Sequence, residues 1–414
     1  WNTLVLIESG CIYRMTTRIT HLISGLFIGG AENALCSLVE GTQGKGFDHT
    51  VIVFLSKGEM QPRLERAGAT VIVLGGRRGF KGALLFWSMA RAIRLSKPDL
   101  VQSWMYHANV AALIARDFGV FRCPLIWNVR QSCARPELEK RLTRFLIKRG
   151  ARLSGRANRI VYNSMLGAET HEAIGFAADR RCVIRNGIDS AKFCPDEAAG
   201  SRLREELGLP PESILVGRVA RYAPMKDFKT LLKAFREVTR QIPSSYLVLV
   251  GSGCEDTNAE LVDMCNQHGC TDKVLLMGKR LDLNRLYPAF DVLVSSSNAN
   301  EGFPNVIAEG MACGNLIVTT AVGESVLINA AGNIVVEPGD SSALAGGIVT
   351  LLETSKTDRK QLAEQGRVFV ENNFPMSSCI EKYVHLWSEL APGPTRIKSA
   401  KLESRDDPSM VCGP

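Results

Sequence analysis

Residues 298–314 read NANEGFPNVIAEGMACG, with one carboxylate, Glu301, ahead of a Gly-Phe-Pro turn and a second, Glu309, inside the helix that the turn should start. Pro is pre-shaped for a first helical turn, and the unpaired N–H groups there favour an anion. Two acids beside such a site are either a capping acid and a solvent-facing helix Glu that stabilise the helix start, or ligands for something other than the anion. Upstream, Arg221 follows the apolar run ILVGRVA, and Lys226 stands just before a helix beginning near Asp227. Read singly, these two and Arg218 are ordinary surface cations. Set against the acidic motif, Arg221 and Lys226 could hold a diphosphate and neutralise the charge that gathers on a departing group.

Such a site needs a strand to end at Arg221 and a helix to start at Pro304, which is how open α/β sheets present their ligands. Short apolar runs at 18–24, 49–55, 69–75, 99–104, 124–129 and 159–164 read as buried strands. Helical patterns lie between them at 31–43, 59–67, 82–96, 108–118 and 137–155. The pattern restarts with strands at 214–220, 245–251, 273–278, 291–297 and 315–320. Alternation of this kind predicts α/β architecture with parallel sheets covered on both faces. The expected organisation is a first Rossmann-like domain over 15–185, a Pro- and Gly-containing linker over 186–212, and a second Rossmann-like domain over 213–375. A helix at 376–391 should pack back on the first domain. Residues 392–414 lack periodicity and read as a disordered tail, and residues 1–14, ahead of Met15, as an extension outside the fold.

At the first strand end stands SGLFIGGAEN, where Gly29 and Gly30 let backbone N–H groups approach a phosphate or sugar. The spacing is not G-x-G-x-x-G and no acid ends the second strand, which disfavours a nicotinamide cofactor. A length of 414 residues suits two domains, and no uncharged apolar run long enough to span a bilayer occurs. Twelve cysteines without a C-x-x-C pair read as scattered thiols of a reducing cytosol, and nothing clusters at metal-ligand spacing. The net charge of +8 is uneven: residues 135–159 hold nine Lys/Arg and two Glu, with Leu138, Leu142, Phe145, Leu146 and Leu153 near helical spacing. That describes a basic amphipathic helix, either a solvated face or a platform for anionic lipid headgroups or an acidic acceptor. No recognition motif supports nucleic-acid binding.

Taken together and in order, GGAEN, NGID, GRVARYAPMKDF, EGFPNVIAEGMACG and IVVEPGDSSALAGGIVTLL resemble the retaining glycosyltransferases of family 4, which have the GT-B fold. The resemblance implies that the amides around Gly302, Phe303, Pro304 and Asn305 receive the diphosphate of a nucleotide sugar. Glu309, roughly 7 to 9 Å along the helix, would accept the ribose hydroxyls. Glu301 would meet the hydroxyls of the sugar. It further implies that His107 lies near the transferred sugar or the acceptor. Many relatives carry a second histidine where this chain has Arg130, which could read an anionic acceptor. In AVGESV, Gly323 stands beside Glu324, a departure from the family's G-G-x-x-E.

The expected activity is retaining transfer of a sugar from a UDP- or GDP-linked donor to an acceptor hydroxyl, without a metal ion or other cofactor. The acceptor would be a lipid-linked glycan of surface polysaccharide assembly, at the cytoplasmic face of a membrane. A GT-B sugar-nucleotide 2-epimerase and a non-catalytic scaffold are the alternatives.

Overall fold

The computed structural model describes residues 5–8, 11–14, 16–76, 82–326, 333–391 and 396–397. Its first domain is a seven-stranded parallel sheet in the spatial order Thr70–Val73, Phe47–Val53, Thr17–Ile23, Leu100–Trp104, Leu125–Val129, Arg159–Tyr162 and Arg181–Val183. The second is a six-stranded parallel sheet ordered Val274–Gly278, Ser245–Val250, Ile214–Val219, Val292–Ser295, Ile317–Thr320 and Ile334–Val336. In each, the first strand lies mid-sheet and winding reverses beside it, where Ile19 pairs with Leu100 and Val216 with Val292. A crevice opens beyond the strand ends at such a reversal.

The runs Ile19–Leu22 and Leu215–Val216 are buried on both sheet faces, which favours apolar residues there, although Thr20 and His21 interrupt the first. Helix Phe228–Gln241 covers one face through Leu231, Leu232, Phe235 and Val238, all fully buried, at the spacing of one helical stripe. Each such side chain contributes roughly 1.5–3 kcal/mol of burial. The strands at Arg181–Val183 and Ile334–Val336 have only three residues each, too short to stand out in sequence.

The basic segment is not one helix. Pro136–Leu138 forms a single 3-10 turn, Glu139 and Lys140 are extended, and the helix proper runs Arg141–Leu153. The break is pinned from both sides: Gln131 Nε2 donates to Glu139 at 3.0 Å, and Asn300 of the second domain exchanges hydrogen bonds with the Arg135 backbone at 2.9 and 3.0 Å. Within 186–212, helix Ala199–Glu206 docks on the second domain through Ala199 and Leu203. Helix Met376–Leu390 carries Tyr383, Leu386 and Trp387 into the first domain's core, where Trp387 Nε1 donates to Gln102 at 2.7 Å. Val5–Glu8 and Cys11–Arg14 pair antiparallel, and Arg396–Ile397 adds to the second of these, apart from both large sheets. The rest of the expected extension and tail lies outside the described residues.

Beside Trp387 runs a directional chain of buried polar groups. Trp104 Nε1 can only donate, and does so to His21 Nδ1 at 3.3 Å. His21 Nε2 must then carry its proton toward His49 Nδ1 at 3.0 Å, and His49 Nε2 toward Thr42 Oγ1 at 2.9 Å, while Thr42 donates to the Leu38 carbonyl at 2.7 Å. Both rings are therefore neutral. Burial holds His21 well below its ordinary range, helped by His49, and lowers His49 to about 4. Since folding depresses these values, their stabilisation is complete above pH 6.5 and is lost as pH falls toward 4, about 3 kcal/mol for His49. Melting temperature should drop over that window, and His49→Gln should flatten the drop; an unchanged pH profile in the variant would contradict the chain.

Candidate active site

The site forms where the central strand Ile214–Val219 and its neighbour Val292–Ser295 end. Arg218 points inward at 2% exposure and donates to Ser295 Oγ at 3.0 Å, Ser297 Oγ at 3.3 Å, and the Lys226 carbonyl at 3.2 Å. It is no surface cation, contrary to the reading of it alone. An arginine amid an apolar strand must find such partners, and that position was the signal. The loop it secures leads through the turn Pro224–Lys226 to Asp227, left-handed at φ 45°, whose carboxylate caps helix Phe228–Gln241 by accepting from Thr230 N at 3.1 Å.

Lys226 pairs with Glu301, which also accepts from Ser297 Oγ at 2.6 Å. Burial raises the Glu301 pKa, but Lys226, Ser297 and Arg218 outweigh it, so the net shift is downward and the carboxylate is ionised at neutral pH. Cation and acid thus meet as one unit on the cleft floor. Gly302 follows; a Cβ there would stand 2.5 Å from Asn163 Oδ1, so only glycine lets this segment approach the first domain. The Phe303 side chain turns away to meet Phe374 edge to face at 5.0 Å and leaves its backbone to the cleft. Pro304 precedes helix Asn305–Ala312, its carbonyl accepting from Ile307 N at 3.1 Å.

Two connected chambers lie between the domains. One, of about 510 Å³, is walled by Gly29, Gly30, Arg221, Lys226 and residues 301–306. The other, of about 480 Å³, is walled by Arg63, Lys192, Arg280 and Tyr383 among others. Glu309, Asn305, Asn186 and Arg130 line both. Glu309 therefore stands at the junction, where it accepts from the buried Tyr287 hydroxyl at 2.9 Å. Burial lifts its pKa to about 7, against the lowering pull of Tyr287, Lys192 and Arg63. In the ribose-binding role that the family resemblance implies it would have to be ionised, so affinity for a nucleotide should strengthen as pH rises through about 7. Titration calorimetry between pH 6 and 8 tests this, with Glu309→Gln expected to be weaker and insensitive to pH.

Arg130 crosses the cleft indirectly: it donates to Asn186, whose Nδ2 donates to Asn305 Oδ1 at 2.5 Å, and its guanidinium lies 5.7 Å above the Trp104 ring. His107 is set apart from this assembly. It sits half-buried in the first turns of helix Met105–Asp117, its pKa lowered by burial, and walls neither chamber; Met105, left-handed at φ 67°, lines the cleft instead. Tyr287, Ser297 and Asn163 had no sequence signal, since each is defined by what it touches; Asn186 opens the NGID motif, which gave it no role. Glu324 gains a role as an interdomain clasp. At 2% exposure it accepts from Arg185 at 2.9 and 3.1 Å and from Met165 N at 2.8 Å in the first domain, while its own N–H donates to the Gly302 carbonyl at 3.2 Å. Gly323, at φ +67°, packs where a Cβ would meet the Glu301 Cβ at 2.7 Å.

Two Rossmann-like sheets facing across a cleft, with a C-terminal helix returning to the first, define the GT-B class. The description Glycosyltransferase Family 4 matches residues 28–192, and Glycosyl transferases group 1 matches residues 210–354. Each domain is thus covered, and the chain belongs to the family 4 glycosyltransferases. It is similar to a D-inositol 3-phosphate glycosyltransferase of Salinispora tropica, 28% identical over 54% of this chain and 49% of the relative. It is also similar to one of Xylanimonas cellulosilytica, 33% identical over 43% and 44%. The match spans about half the length of these curated relatives. Anabaena HepE in complex with UDP-glucose shares the fold with a TM-score of 0.80 at 24% identity, over 90% of this chain and 100% of that one.

Proposed function

We propose that the chain transfers a sugar, with retention and without a metal, from a UDP- or GDP-linked donor to an acceptor hydroxyl. One observation carries the reading: Lys226 and Glu301 paired beside the backbone at 302–305, with Glu309 at the junction of two chambers. The diphosphate would lie on those amides, with Arg221 and Lys226 neutralising it as it leaves, the role a divalent ion fills elsewhere. Glu301 would hold the sugar hydroxyls, and Glu309 the ribose with the base in the second chamber. The acceptor oxygen would attack from the face the leaving group departs, passing its proton to the departing phosphate oxygen, so no separate base is required. Chelator should leave activity unchanged.

The acceptor is proposed to be a lipid-linked glycan of surface polysaccharide assembly, met at an anionic membrane surface through the basic residues of 135–159. Arg130 would contribute positive charge toward an anionic acceptor group. Thermal unfolding against UDP-, GDP- and TDP-sugars is the test, since a ligand bound only by the folded state raises the melting temperature by mass action. At least one nucleotide class should shift it; no shift with any would overturn the reading. Consumption of donor without an acceptor would favour the 2-epimerase instead.

A further inference from the structure

Helices Gly82–Ser96, Met105–Asp117 and Arg141–Leu153 lie side by side on one face of the first domain's sheet, over a shared core. A solvent-facing helix surface is ordinarily polar. Here the outer stripe of the middle helix and the residue after it is Ala111, Ile114 and Phe118, with Phe118 72% exposed. The helix before it turns Leu84, Trp87 and Leu95 outward, with Trp87 63% exposed, and Phe86 bridges Trp87 and Phe118 at ring distances of 6.0 and 5.5 Å. The helix after it exposes Leu142 and Phe145.

Charge on this layer is as lopsided as its apolarity. The three helices contain eight Lys/Arg and one acid, Asp117, a surplus of seven, against +8 for the whole chain. The layer thus holds nearly all of the net charge in 41 residues. Exposed Trp, Phe and Leu set among arginines suit neither water nor an apolar protein partner; they suit the headgroup boundary of an anionic bilayer, where rings sit at the interface and cations meet phosphates.

We infer that this three-helix layer, and not the basic segment alone, is a docking face for an anionic lipid bilayer, with Trp87 and Phe118 as its inserted side chains. The layer reaches the cleft rim at both ends that matter: Met105 lines the cleft, and Arg135, just ahead of the third helix, is held by Asn300. A headgroup-borne acceptor would therefore meet the cleft while its lipid stayed in the membrane. The inference rests on the lipid-linked acceptor proposed above only for that last step.

Flotation of the full chain with vesicles of phosphatidylcholine alone, or with about 30 mol% phosphatidylglycerol, tests it. Retention should require the anionic lipid and weaken with salt. Trp104, Trp127 and Trp387 are already buried and Trp1 is common to both forms, so a blue shift on binding that Trp87→Phe abolishes is the one Trp87 should supply. The double variant W87S/F118S should bind more than about tenfold less tightly, as should the charge reversal K148E/R149E, which disturbs no apolar contact. Both should keep the wild-type thermal shift with sugar nucleotide. Equal binding to both vesicles, no binding, or unchanged binding by W87S/F118S would overturn the inference, as would a concentration-dependent dimer abolished by F118S. A lost donor shift with vesicle binding intact would instead sink the transferase reading and leave the docking face standing.

Discussion

Lys226→Ala should lower kcat by about 10²- to 10³-fold, the range seen when one preorganised charge on a developing anion is removed. The expectation follows from how Lys226 is held in the cleft. Its ammonium is already held by Glu301, and Glu301 by Ser297, so in the proposed reaction the charge would meet the leaving group without having to be ordered at that moment. Bound donor carries its negative charge on two phosphates in any case, and the amides at 302–305 with Arg221 remain. Donor KM should therefore rise only a few-fold while turnover collapses, since the charge that Lys226 meets grows in the transition state. Pre-steady-state rates and nucleotide titrations on the same variant check this. Turnover within about threefold of wild type would remove Lys226 from the chemistry.

Arg218→Met should cost both stability and activity. The guanidinium is enclosed, and burial lowers its pKa to about 10, yet it remains charged at neutral pH and donates to Ser295 Oγ, Ser297 Oγ and the Lys226 carbonyl. Met matches its reach but offers no donor, which removes the Ser295 contact and leaves the Lys226 carbonyl to Ser296 Oγ and the Ser297 hydroxyl to Glu301. The expected loss is roughly 3 to 5 kcal/mol, as for breaking other buried charge networks. Because Ser297 also steadies Glu301, surviving folded protein should show weakened donor binding too. Denaturant unfolding with a change of less than about 1 kcal/mol would mean that Arg218 is not the strut described.

How much of this was legible beforehand differs by residue. Eleven of the thirteen strands in the two sheets stood out because a doubly covered parallel strand is apolar on both faces. The remaining two are three-residue edge strands whose pattern is too short to register. Helix Asn305–Ala312 announced itself through Pro304, and the pairing of acids and cations around it through spacing alone. Arg218 was misjudged because a strand's inward and outward sides look alike until the sheet is assembled. The break at Glu139 and Lys140 was missed for a related reason: of the contacts that pin it, one is Asn300 on the Arg135 backbone, 165 residues away in sequence. Asn186 and Glu324 acquire meaning only across the cleft, and Tyr287 only once folding brings it to Glu309 within the second domain. His107 followed from a family habit, and its helix turns it from both chambers.

The central claim is that a diphosphate seats on the backbone at 302–305 between Glu301 and Glu309. A crystal grown with the sugar nucleotide that most raises the melting temperature tests it most directly. The account predicts the diphosphate on those amides with Lys226 and Arg221 in contact, ribose hydroxyls on Glu309, and sugar hydroxyls on Glu301. Clear density for the nucleotide elsewhere, or a diphosphate remote from Lys226, would contradict it.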